Sequence, residues 1–396
     1  MPRGRSHEPI RTAEQAAAYL GGLLDVEKSP DVPYDRLGLA AVRRLLERLG
    51  NPQDGLAVVH VAGSKGKGST ALLAEALYRA AGQRVATFTS PHLERWTERF
   101  RIDAREVDGA RLAGALERLR PHVDALRAEG PSRAPTFFDA TTAAALLLFR
   151  EANVRRVILE VGLGGRLDST NVVTPAVACI TSVELEHTDK LGTTLAQIAR
   201  EKAGVLKPGV PAVVGDLPAE AREVVAARAR ELAVPVAWFG EDFCVELLRQ
   251  GSRGLQLRLS DGPLRVEVVL PLLGAHQATN AALAMACVRR AGGLSDAALA
   301  SAAARAFAAA ELPARVEVFE RAPWVVVDVA HTAASARALV RALSHLPRRR
   351  TQLVISISAG KDVAGVLGWL LPCASEVIVT RAEATRSLPP AELAAA

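Results

Sequence analysis

Glycines and lysines crowd into one short stretch, Gly63-Ser64-Lys65-Gly66-Lys67-Gly68-Ser69. Glycines let backbone N–H groups turn inward and approach an anion closely. Lys67 adds a mobile ammonium, and the hydroxyl of Ser69 or Thr70 can reach a phosphate or a Mg²⁺ ion. The chemistry predicted is the cradling of phosphates. The commonest phosphate loop would have a glycine where Val61 stands, so this one is the compact form G-x-x-G-K-G-S. A glycine-rich turn that binds nothing is the alternative. Two lysines bracketing Gly66 just before a helix weigh against it.

Three further residues could hold a metal ion. Ser90, Glu160 and His187 each fall at or just beyond the carboxyl end of a separate apolar run. Alone, each reads as a cap, a buried acid or a surface histidine. Together they offer hydroxyl, carboxylate and imidazole ligands for a Mg²⁺ that also touches nucleotide phosphates. In an open parallel sheet, that is the edge where ligands bind.

The elements that must position these residues are legible in the pattern. Val58-Val59-His60-Val61 is a β-branched run and predicts a buried strand. Leu72, Leu73, Ala76, Leu77 and Ala80 then recur at helical spacing, and Gly82 is a stop. Further strands are expected at 84–89, 157–161 and 177–182, with a helix at 195–206 containing Glu201-Lys202-Ala203-Gly204. Two helices precede the loop, within 11–50, joined by a loop over 29–33. A helical stretch around 109–126 contains Pro121, which should kink or divide it. Thr136 to Thr142 opens an alanine-leucine helix through Phe149. Gly162 to Asn171 has no helix directly after it, so it is not a dinucleotide fingerprint. Residues 210–270 alternate short strands and turns and finish the first domain. A boundary is expected at Pro271 to Asn280. A smaller α/β unit follows, with strands at 325–329, 353–357 and 377–380 and Asp328 near the carboxyl end of the first of these.

Composition narrows the classes. The chain has 396 residues, of which 49% are hydrophobic and 23% charged, so two domains with aliphatic cores are expected. The net charge of +6 comes from arginines scattered along helices. The one tight cluster, Arg348-Arg349-Arg350, lacks interleaved aromatics and reads as a solvated loop, not a nucleic-acid patch. Cys179, Cys244, Cys287 and Cys373 have no metal-ligand spacing, and a reducing compartment is expected. There is no apolar signal core at the N-terminus and no run fit to span a bilayer. A soluble cytoplasmic protein is the expectation.

Read together, these residues resemble the folylpolyglutamate synthase and dihydrofolate synthase family of Mur-type ATP-dependent ligases. The family's G-T-N-G-K-G-S stands here as GSKGKGS. Its T-S-P-H-L matches 89–93, and its E-V-G-L-G-G-R-L-D-A-T-N matches 160–171 with Ser169 for alanine. Its D-H-T…L-G-x-T…I-A-x-E-K-A-G matches 186–204 with Glu186 for aspartate, and its H-Q-x-x-N-A-A matches 276–282. Departures are Lys65 for asparagine, Leu312-Pro313-Ala314-Arg315 for W-P-G-R, and Asp328-Val329-Ala330-His331-Thr332 for D-G-A-H-N.

The resemblance implies an α/β fold. A P-loop-containing, parallel-sheet ATP-binding and substrate-binding domain would occupy 1–272. A smaller Rossmann-like glutamate-ligase domain would occupy 273–396, with a last helix–strand–helix unit expected beyond Ala396. It implies that Gly63 to Ser69, with Lys67, hold the ATP phosphates, helped by Asn280, Arg315, Asp328 and His331. Ser90, Glu160 and His187 would hold Mg²⁺. Lys202, carbamylated by CO₂, would serve a second Mg²⁺. Lys67, Lys202 and His187 are thus the catalytic candidates. Thr136, Phe138, Asp139 and Asp168 would lie near a pteridine or folate. The activity implied is ATP-dependent ligation of L-glutamate to dihydropteroate or a folate through an acyl phosphate, by a monomer, in a site between domains that closure assembles. A Mur-type ligase for another carboxylate, or a nucleotide-binding paralogue without ligase activity, are the alternatives.

Overall fold

The structure, a computed structural model, describes residues 8–26, 34, 37–319, 323–347, 350–383 and 386–396. The loop expected at 29–33 and the first two arginines of the 348–350 cluster lie outside the described residues.

An eight-stranded sheet organises the larger unit. Its strands are β1 (Ala57–Ala62), β2 (Val85–Phe88), β3 (Phe100–Ile102), β4 (Arg105–Glu106), β5 (Arg156–Glu160), β6 (Val177–Ile180), β7 (Ala212–Val214) and β8 (Val236–Trp238). Their order is β4-β3-β2-β5-β1-β6-β7-β8. The six strands from β2 to β8 pair in parallel, and β3 and β4 add an antiparallel ribbon at one edge. Parallel strands covered on both faces read as continuous apolar runs, which is why β1, β5 and β6 carry so few polar residues. The chain crosses from one side of β1 to the other between β5 and β6. That reversal opens a crevice at the strands' carboxyl ends.

Helices cover both faces. The helices α1 (Ala13–Gly21), α2 (Ala40–Arg48), α4 (Gly109–Ala128) and α5 (Phe137–Glu151) contribute to one core with Phe88, Phe100 and Phe149. A second core gathers Ala62, Ile180, Ile198, Val214 and Val225. α3 (Lys67–Ala80) starts directly from the glycine loop and buries Leu73, Ala74 and Leu77. Pro121 does not divide α4, which runs unbroken through it. Val177–Ile180 is bounded more tightly than the expected 177–182, because Thr181 and Ser182 leave the strand to hold the glycine loop.

By compactness the chain falls into two units that interleave in sequence. One comprises 1–244, 260–265 and 280–306; the other comprises 245–259, 266–279 and 307–396. A three-stranded sheet, β11-β10-β9, is formed by β9 (Phe243–Gly251), β10 (Gly254–Asp261) and β11 (Leu264–Leu270). The smaller unit also has an antiparallel pair, β12 (Glu317–Phe319) with β13 (Val325–Val327), and a parallel pair, β14 (Gln352–Ile355) with β15 (Glu376–Val379). Its core includes Ile355, Ile357, Val366 and Leu393. Among the described residues no helix is long and apolar enough to cross a membrane.

Candidate active site

Loops from the tips of β1, β5 and β6 meet in the crevice. Gly66 is the first residue before α3 and adopts φ +82, a left-handed conformation that glycine takes without strain. A side chain there would also run into Asn280 Oδ1. The loop after β6 fastens the glycine loop. Lys65 N donates to Ser182 Oγ (2.8 Å), Thr181 Oγ1 donates to Lys65 O (2.6 Å), and Ser64 N donates to Ser182 O (2.9 Å). Ser64 Oγ in turn accepts from Glu184 N at 2.9 Å. Lys67 curls back so that Nζ donates to Gly63 O (3.0 Å) and Ser64 O (3.4 Å), which places its ammonium over the loop. The N-terminus of α3 points its unsatisfied N–H groups at the same place.

Glu160 ends β5 and is 4% exposed. Its Oε2 accepts from Ser90 N at 3.0 Å, and its carboxylate would lie 3.3 Å from a Cβ on Gly68. Ser90, Glu160 and the start of α3 are therefore brought together. His187 is placed differently. Its side chain is 43% exposed, and Nε2 sits 3.4 Å from Glu186 Oε1. That same oxygen pairs with Lys65 Nζ at 3.0 Å. Lys65 and Glu186, the two departures from the family motif nearest the loop, thus form an ion pair with each other. Sequence reading noted both residues but not the pair; a cation gained at one motif position and a carboxylate lengthened by one methylene at another were the available signal.

Lys202 lies near the end of the helix Leu195–Ala203 and is 4% exposed. Gly165 lets this helix approach: a Cβ there would lie 2.9 Å from Glu201 O. Arg166 clamps the contact by forking onto Glu201 through Nε and Nη2. Burial, and then the neighbouring Lys67, push the Lys202 pKa down to about 7, against the pull of Glu186. Burial first, and the nearby amines of Lys67 and Lys65 after it, make the neutral form of Lys202 accessible near neutral pH.

The donor set suits a magnesium ion in part. Glu160 puts a hard oxygen beside the phosphate loop, and the Ser90 hydroxyl belongs to the same corner. Mg²⁺ is commonly held by one or two carboxylates, with phosphates and water completing the octahedron. Among the described residues no group of three or more His, Cys, Asp or Glu side chains is placed to hold a metal by itself.

A cavity of about 620 Å³ opens beside this corner, lined among others by Thr136, Phe138, Asp139, Gly162, Leu163 and Asp168. Thr136 and Asp139 form the capping box that starts α5. Asp139 Oδ2 accepts from Thr136 N and Oγ1, and Oδ1 accepts from Ser169 Oγ at 2.7 Å. Burial raises its pKa against these donors. A carboxylate has about four acceptor sites, so Asp139 keeps roughly one for a ligand. Asp168 accepts from Thr170 N and Oγ1 and from Gly162 N and Leu163 N, which fills its four. Burial lifts its pKa to about 6.

In the smaller unit, Asp328 accepts from Val316 N (2.8 Å) and Ala330 N (2.7 Å). These bonds tie the β13 exit to the turn carrying Arg315. Ala314 and Val316 flank Arg315 with φ of +52 and +51. Ala314 thus keeps a glycine-like backbone where the family motif has glycine, and Val316, a β-branched residue, is strained there. His331 caps the turn through Nδ1 to Val329 O at 2.9 Å.

Comparison with known proteins bears on what this arrangement does. The Mur ligase middle domain matches residues 61–288, and the Mur ligase glutamate ligase domain matches 314–396. A Mycobacterium tuberculosis protein named dihydrofolate synthase/folylpolyglutamate synthase is 36% identical over 399 residues, covering 96% of this chain and 81% of that one. A Halobacterium salinarum protein named probable bifunctional folylpolyglutamate synthase/dihydropteroate synthase is 36% identical over 92% of this chain. This chain spans only 43% of that relative's length. The solved folylpolyglutamate synthase of Mycobacterium tuberculosis, complexed with ADP and AMPPCP, superposes with a TM-score of 0.83 at 34% identity, covering 91% of this chain and 83% of that one.

Proposed function

The chain belongs to the Mur ligase family, in its folylpolyglutamate synthase/dihydrofolate synthase branch, and from that membership we propose that it joins L-glutamate to dihydropteroate, to a reduced folate, or to both, with ATP converted to ADP and phosphate. The observation that carries the proposal is the corner where the Gly63–Ser69 loop, Glu160 and the cavity lined by Phe138 and Asp139 adjoin. The cavity's apolar walls suit a flat heteroaromatic ring, and Asp139 offers it an acceptor.

The residues divide the work. The loop's N–H groups and Lys67 hold the β- and γ-phosphates. The acceptor's carboxylate oxygen attacks the γ-phosphorus, ADP leaves, and an acyl phosphate forms. The glutamate amine then attacks the acyl carbon, phosphate departs, and the amine's proton is lost. Catalysis is positioning and charge neutralisation. Glu160 and Ser90 would hold a Mg²⁺, with His187 as a further candidate. When bound, the ion neutralises charge building up between phosphates. A carbamylated Lys202 would turn a buried cation into a carboxylate for a second ion. Asn280 supports the loop, and Arg315, Asp328 and His331 are the nucleotide candidates of the smaller unit. A cytoplasmic monomer is the setting we assign.

Incubation with Mg-ATP, L-glutamate and tetrahydrofolate or dihydropteroate, read by mass spectrometry, tests the reading. A product heavier by one glutamyl residue supports it. Its absence from folded protein with both acceptors overturns it.

A further inference from the structure

His60 stands in the middle of β1, with Leu159 and Ala178 as its register partners, and is fully buried. An aliphatic residue would suit such a strand. Burial keeps the imidazole neutral, and Lys207 acts in the same direction. Nδ1 has no hydrogen-bond partner, an unfavourable placement for a buried nitrogen. Nε2 lies 2.8 Å from Thr170 Oγ1. The position is therefore explained by its second nitrogen.

The protons in this contact can be assigned. Thr170 has one hydroxyl proton, and its Oγ1 lies 2.5 Å from Asp168 Oδ1. The hydroxyl donates to that carboxylate, so it must accept from His60, and Nε2 carries the ring proton. The chain runs from His60 N–H to the Thr170 hydroxyl to Asp168, each bond polarising the next. At its far end Asp168 Oδ2 accepts from Gly162 N (3.0 Å) and Leu163 N (2.9 Å). Those two residues form a wall of the cavity and follow Glu160 after one intervening residue, Val161.

We propose that His60 is a positioning residue for the acceptor cavity: acting through Thr170, it fixes the Asp168 carboxylate and with it the Gly162–Leu163 wall. The proposal rests on reading the cavity as the acceptor site.

Two measurements on the full chain test it. The first needs no ligand. Hydrogen exchange read by mass spectrometry should be faster in the peptide covering 161–168 for His60→Leu and Thr170→Val, by about tenfold, and near normal for His60→Gln and Thr170→Ser, which keep the donor or the hydroxyl. The peptide covering 63–70 should not change. The second is steady-state kinetics. His60→Leu should raise the acceptor KM about tenfold with the ATP KM within about twofold, and His60→Gln should restore most of it. The double variant His60→Leu/Thr170→Val should be no worse than Thr170→Val alone. Unchanged exchange at 161–168, equal effects on both substrates, or additive effects in the double variant would each overturn the proposal. Should His60→Leu not fold, Thr170→Val against Thr170→Ser decides the same point. If the wild type turns over neither acceptor, the functional reading fails, and the exchange data still decide whether His60 holds this wall.

Discussion

Lys202→Met removes a buried amine whose pKa falls from 10.5 to about 7. At pH 7 an unperturbed lysine is neutral in about 0.03% of molecules, and one with a pKa of about 7 in about half. The gain in the form that attacks CO₂ is on the order of a thousandfold. The same shift costs stability. Because the folded pKa lies below the unfolded one, the unfolded chain binds the extra proton between pH 7 and 10.5, so stability rises with pH across that window. The penalty is full at and below pH 7, with an upper limit of about 5 kcal/mol. In CO₂-free buffer at pH 6, Lys202→Met should therefore melt higher than the wild type, by roughly 4–10 °C in differential scanning fluorimetry. The difference should shrink toward pH 10.5. Bicarbonate at about 10 mM should then raise the melting point of the wild type and leave that of the variant unchanged. Turnover should fall at least about 100-fold in Lys202→Ala, with acetate or formate restoring part of it. A variant no more stable at pH 6, together with turnover near the wild-type value, would refute the reasoning.

Other substitutions probe the remaining parts. Lys67→Ala should abolish ATP turnover, a loss of about 10³-fold or more with the melting point little changed, and near-normal ADP release would remove Lys67 from the phosphate site. Gly66→Ala forces a left-handed alanine, costing about 1–2 kcal/mol, and drives its methyl toward Asn280. It should raise the ATP KM more than about tenfold while sparing the acceptor KM, and a nucleotide titration checks this. Asp139→Ala breaks the capping box of α5, costing about 1 kcal/mol, and removes the cavity's spare acceptor. Its acceptor KM should rise about tenfold with the ATP KM unmoved, and equal changes in both would count against the acceptor assignment.

Local chemistry made much of this molecule legible. The glycine loop is seven consecutive residues, and the strand before it and the helix after it follow from β-branching and helical spacing. Ser90 and Glu160 fall at or just beyond the ends of apolar runs, and the structure brings Ser90 N within 3.0 Å of Glu160 Oε2. What local pattern could not supply were pairings across long separations. Ser182 holds Lys65 from 117 residues away, and Thr170 meets His60 from 110. Nor does spacing reveal that Asp168 spends all four acceptor sites on its own chain. Pro121 misled in the opposite direction, since a helix as long as α4 absorbs one missing donor while its apolar face stays packed. The interleaving of the two units is invisible to composition, because strands β9 to β11 look alike whichever unit they join.

ADP release with Mg-ATP and L-glutamate, measured separately with dihydropteroate and with tetrahydrofolate, tests the central claim most directly. Glutamate-dependent release with at least one acceptor, abolished in Lys67→Ala, is the result predicted. No release with either acceptor, from protein shown by its melting curve to be folded, would contradict it.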